Sequence, residues 1–137
     1  MTAFNKFNSF VEAIAEKVHN LQSDSLVVAL CAAANAPVAT NSQLSNLTQV
    51  SYTNLSSRAL TVSSSAQTSG TYKLVLADLT LTASGTVAGF RYIVIYNDTA
   101  TNDELIGYYD YGSDLVLNNG ESLLIDFDGT NGVLQIA

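Results

Sequence analysis

From Arg58 to the C-terminus the chain is a series of short apolar runs with turn residues between them. "RALTVS", "TYKLVLADLTLTA", "GFRYIVIYND", "ELIGYYDYG", "SDLVL", "ESLLIDFD" and "VLQIA" follow one another with little between them but turn residues. Most alternate with the two-residue period of a strand rather than the 3.6-residue period of a helix. Several short strands at such spacing predict an antiparallel β-sandwich or barrel-like domain.

Within the series the faces can be assigned. Leu60 and Val62 share one, as do Tyr72, Leu74 and Leu76, and later Leu123, Ile125 and Phe127. The alternation slips at Ala77–Asp78, where a bulge, bend or strand break is expected. "SSSAQTSG" reads as a Ser-rich turn, and Asn118-Asn119-Gly120 as a type I′ hairpin signal. "GFRYIVIYND" is the strongest strand, with Phe90, Tyr92, Val94 and Tyr96 on one side and Arg91, Ile93 and Ile95 on the other. Bulky residues on both sides imply a strand covered on both faces, and Arg91 then needs one of the nearby acids as partner.

The N-terminal part has a different period. Phe7, Phe10, Val11, Ile14, Val18 and Leu21 recur at helical steps, predicting one α-helix over about 5–20. Ser9 and Glu12 stand at capping-box spacing, Asn5 is a rival cap, and Asn20 is positioned to close the helix. "SLVVALCA" (25–32) predicts a buried strand. The segment around the single Pro37 reads as a long loop, and "VSYTNL" as a weak strand. No linker or internal repeat divides the 137 residues, so a single domain over 1–137, with about eight strands after the helix, is expected.

Sites of chemistry are scarce. Cys31 is the only cysteine and lies in an apolar run, the setting of a small buried hydrophobe. His19 is the only histidine; with Glu12 and Glu16 it is expected on the solvated helix face, and no G-x-S-x-G elbow accompanies it. "DFDGTNG" (126–132) has Gly at the wrong place for a calcium loop and predicts a tight turn. No catalytic, cofactor-binding or metal residue is assigned, and no cofactor is expected. A sugar cleft of acids and tyrosines is a weaker alternative. Three Asn-x-Ser/Thr triplets occur, but the N-terminus has no secretory h-region and no run approaches a membrane span. The net charge is −7, and from Tyr92 onward there are eight acids and no Lys or Arg. Such a surface repels phosphate backbones, so direct nucleic-acid binding is not expected.

Tyrosine and phenylalanine are the residues left to explain. Alternation in "GYYDYG" puts Tyr109 and Tyr111 together, opposite Tyr108 and Asp110. Side chains with an apolar body and a polar tip are favoured at protein interfaces. Phe4, Phe7, Phe10, Tyr108, Tyr109 and Tyr111 are therefore candidate interface residues.

"FNSFVEAIAEKVHNLQSDSLVVAL", "FRYIVIYNDTAT", "LIGYYDYGS" and the closing "LNNGESLLIDFDGTNGVLQIA" together resemble small virion structural proteins of tailed bacteriophages, nearly end to end. The resemblance carries no catalytic motif. It implies a non-enzymatic capsid decoration (cement) protein, assembled in the host cytoplasm and located on the virion. Such a protein would bind the major capsid protein on the outer shell, self-associate as a homodimer or homotrimer, and contact no membrane. A tail, neck or head-completion protein, or a carbohydrate- or receptor-binding module, is the alternative it leaves.

Overall fold

A computed structural model describes residues 3–137. The fold is mainly β, with antiparallel sheets and one α-helix near the N-terminus. In chain order the elements are β1 (Asn5–Lys6), α1 (Asn8–Ala15), β2 (Leu26–Cys31), β3 (Val62–Thr68), β4 (Thr71–Leu76), β5 (Leu79–Thr82), β6 (Phe90–Asn97), β7 (Leu105–Leu115), β8 (Ser122–Ile125) and β9 (Leu134–Ile136). They form a four-stranded sheet in the order β1-β7-β6-β2, a three-stranded sheet β3-β4-β9 and a pair β5-β8.

The main core lies where these sheets face one another. Val28, Leu30, Ile93, Ile95 and Ile106 of the large sheet meet Leu74, Leu76, Leu81 and Ile125 of the other two. A second, smaller core covers the opposite face of the large sheet. There Ala29, Cys31, Val94, Tyr96 and Leu105 pack with Phe7, under Leu44 and Leu47 of the Pro37 loop. The apolar runs of β2 and β6 are continuous because both of their faces are buried. The slip at Ala77–Asp78 is a strand break between β4 and β5, as expected, and the Asp78 carboxylate there accepts from the Phe127 N–H at 2.9 Å.

Several expectations are corrected. The helix spans eight residues rather than about sixteen. It cannot start at Asn5, because Asn5 and Lys6 pair with Tyr108 and Gly107 as β1, and the Phe7 N–H bonds to the Ile106 carbonyl. Phe7 is the N-cap residue and makes no side-chain cap, so Ser9 and Glu12 lie inside the helix. It ends early because Lys17 takes φ 66°, and the Val18 N–H then bonds back to Ala13. This is a Schellman closure without its customary glycine. Asn20 plays no part in it.

"VSSSAQT" is strand β3, and only Ser69–Gly70, both at positive φ, form the turn into β4. "SDLVL" is not separate: β7 runs on to Leu115. "VSYTNL" forms no strand beyond one bridge, Leu55 to Ala83. Asn118–Glu121 is a turn, yet β7 and β8 lie in different sheets, and Gly120 alone has positive φ; it is not a type I′ hairpin. In β6, Phe90 pairs with Leu115 and Tyr92 with Asp110, so Arg91 faces a four-residue excursion of β7. That bulge turns Phe90 to the side of Ile93 and Ile95, in the main core.

Gly107 is the point on which β1 depends. A Cβ there would overlap the Phe4 ring, so only glycine lets that ring cross β7 and reach Tyr109, 5.1 Å between centroids. Gly107→Ala is expected to expel Phe4 and lower stability by about 1–3 kcal/mol. Urea denaturation, with ring contacts between Phe4 and Tyr109 followed by NMR, checks it. An unchanged midpoint with the contacts intact would contradict the packing described.

Candidate functional site: an apolar groove beside Tyr111

The six aromatic candidates divide by burial. Phe7, Phe10 and Tyr109 are 0%, 3% and 4% exposed and belong to the two cores. Phe4 and Tyr108 are half-buried, Tyr108 against Phe7 and Tyr92. Tyr111 is 46% exposed. Phe4, Tyr108 and Tyr111 are therefore the members with surface to offer a neighbour.

Tyr111 stands where two sheets part. β7 contributes Tyr109 and Tyr111, β8 contributes Leu123, Leu124 and Ile125, and β6 contributes Ile93. Together with Asp126 they line an open groove of about 350 Å³. Leu123 and Ile125 turn toward the core, which leaves Leu124, 56% exposed, on the outer face of β8. Sequence reasoning passed over Leu124. The signal was present in "SLLIDF": an apolar residue at the outward position of a strand whose alternate residues already point inward.

The β7 excursion that carries Tyr111 is held at its base. Asp110 accepts from Arg91 Nε at 2.8 Å and Nη2 at 3.0 Å, and also from the Gly112 N–H at 2.8 Å. The acid expected as partner for Arg91 is thus Asp110, in a bidentate pair. The Arg91 guanidinium, followed by the Gly112 N–H, holds the Asp110 carboxyl below its ordinary range. At the far end Asp114 accepts from the Ala33 N–H at 3.0 Å. Tyr111 is therefore presented on a braced loop rather than a free one.

Comparison with known protein families, curated proteins and solved structures finds no match to this chain.

The groups capable of chemistry lie elsewhere. Cys31 is fully buried, and burial pushes its thiol up to about 11, as a packing residue requires. Asp128 accepts from the Thr130 and Asn131 N–H groups, both at 2.8 Å, making "DFDGTNG" the tight turn expected. Among the described residues no three or more His, Cys, Asp or Glu gather as a metal site would need. No helix among them is long and apolar enough to cross a membrane.

His19 is a correction. Glu12 and Glu16 are solvated, but His19 lies beyond the helix end and is 6% exposed, its ring stacked on Phe10. Asn97, fully buried, organises this corner. Its Oδ1 accepts from the Thr99 and Ala100 N–H groups, which fixes the amide orientation. Its Nδ2 donates to Asp24 at 2.7 Å and to His19 Nδ1 at 2.9 Å. His19 Nδ1 must then accept, so the neutral ring carries its proton on Nε2.

Burial holds the His19 pKa below its ordinary value, opposed by the charges of Glu104 and Asp24. Protonation would also set an Nδ1–H against the Asn97 N–H. The unfolded chain therefore takes up the proton first, and stability falls as pH drops through about 6.5, levelling off below the folded pKa. A falling melting temperature between about pH 7 and pH 5 is expected, with a slope no steeper than about 1.4 kcal/mol per pH unit. His19→Asn is expected to flatten it. A flat wild-type profile would contradict the neutral ring.

Proposed function

We propose that the chain is a non-enzymatic structural component of a tailed-bacteriophage virion, docking on the outer capsid surface and bridging neighbouring capsid subunits. One observation supports this reading most: the two large apolar side chains flanking the groove, Tyr111 and Leu124, are both about half exposed on a braced surface. An exposed aromatic and an aliphatic side chain beside an apolar recess are the parts of an interface hot spot. The resemblance to phage structural proteins supplies the partner, the major capsid protein. Asp126 on the groove wall favours a partner face with a basic residue opposite it.

Repetition on a symmetric shell makes a modest interface sufficient. Each copy that touches two capsid subunits gains the second contact at the high effective concentration set by the first. The test is co-sedimentation of the purified chain with capsid shells that lack it. Saturable binding at a fixed ratio to the capsid protein is expected. Absence of binding to shells, with binding to tails or to host-surface glycans instead, would overturn the capsid assignment.

A further inference from the structure

We infer that β3 is a self-pairing edge: two copies of this chain join antiparallel along it, about a two-fold axis at Ala66. β3 is the outer strand of the three-stranded sheet, bonded on one side to β4. The two-residue turn Ser69–Gly70 makes Thr68 and Thr71 the closing pair of the hairpin. Hydrogen bonding to β4 then alternates through Thr68, Ala66 and Ser64, and the backbone N–H and C=O of Ser65 and Gln67 point outward. No described residue bonds to these outward groups.

Edge strands are ordinarily blunted by Lys, Pro, a bulge or short length. β3 is seven residues long and has neither Lys nor Pro, and its one irregularity lies at its start, between Val62 and Ser64. The regular part, 64–68, has Ala66 at its centre. Antiparallel pairing there sets Ala66 against Ala66, the small side chain where a non-hydrogen-bonded pair comes closest, and bonds Ser65 to Gln67 of the second copy.

Charge selects a second copy as the occupant. A chain of net charge −7 repels itself, so a self-contact must fall where charge is absent. β3 contains no charged residue, and the recess beside Ser65, Ala66 and Gln67 carries one charge of each sign, Lys17 and Asp24, which cancel. The nearest on its sheet is Lys73, beside Ala66 on β4. Across the dimer the two Lys73 would be three strand spacings apart, about 14 Å, beyond the screening length of about 8–10 Å. The dimer names a self-association partner for the reading above, but it is derived from the edge alone and stands if the particle reading falls.

Sedimentation of the full chain tests it. Wild type is expected at twice the monomer mass at high concentration, and Ala66→Lys, at an exposed position, is expected to weaken association at least about tenfold with its circular dichroism unchanged. Should that variant misfold, Ser64→Lys places a charge two residues away on the same exposed face. Amide exchange gives an independent readout. Ser65 and Gln67 should become protected as concentration rises, whereas Ala66 and Thr68 are protected throughout. A monomer at all concentrations, an oligomer that survives both variants, a trimer, or free exchange at Ser65 and Gln67 in the dimer would each overturn the proposal.

Discussion

Asn97→Ala is expected to lower the free energy of unfolding by about 3–4 kcal/mol. Asn97 is fully buried and serves four partners: two backbone N–H groups, the Asp24 carboxylate and His19 Nδ1. Truncation leaves the buried His19 Nδ1 without a donor, at about 1–3 kcal/mol, and removes three part-buried hydrogen bonds worth about 0.5–1.5 kcal/mol each. The Asp98–Asn102 turn and the Asp24 turn lose their common tie at the same moment. Asn97→Asp separates charge from shape: it keeps the two N–H acceptors but sets a carboxylate 2.7 Å from that of Asp24. The His19 ring then gains by protonation, so the acid sensitivity predicted for wild type should weaken or reverse. Urea denaturation at about pH 7 and about pH 5 measures both effects. A loss below about 1 kcal/mol for Asn97→Ala would mean that Asn97 does not tie its four partners together as described.

Replacing Tyr111 and Leu124 together by Asp is expected to weaken binding to capsid shells at least about a hundredfold, with little change in stability. Both side chains are about half exposed, so the fold does not need them, and the Arg91–Asp110 brace beneath Tyr111 is untouched. Two carboxylates in an apolar contact would have to be desolvated without partners, which is what makes the effect large. Tyr108→Ala is the informative contrast. Tyr108 packs on Phe7 and Tyr92, so its loss should reduce stability more than binding. Unchanged shell binding by the folded double variant would remove the groove from the account.

Much of this architecture was legible because burial and periodicity coincide. β2 and β6 are buried on both faces and read as unbroken apolar runs; β4 and β8 are buried on one and read as alternation. The Ala77–Asp78 slip announced its own strand break. The failures have local causes. Lys17 closes α1 at positive φ where the expected marker is glycine or asparagine, so the apolar stripe read on past the end of the helix. β3 has Ser, Ala, Gln and Thr on its exposed faces, and without an apolar alternation its strand nature was invisible. The β7 excursion opposite Arg91 leaves Phe90 on the other face, and only tertiary pairing with Leu115 reveals it. His19 was assigned to solvent from its place on a helix that had already ended.

The candidate surface was half legible. Tyr111 was named with five other aromatics, and nothing in "GYYDYG" distinguishes the exposed member from buried Tyr109 on the same strand face. What separates them is the end of the facing strand. β8 covers the core near Tyr109 and leaves Tyr111 beside an open groove.

The most direct test of the central claim is the copy number of this chain in purified virions, measured by quantitative mass spectrometry against the major capsid protein. A ratio near unity, or a simple fraction of it, is the predicted result, because a protein that bridges capsid subunits must follow the lattice. A few copies per particle would place it at the neck or tail, and complete absence from the particle would contradict the structural role altogether.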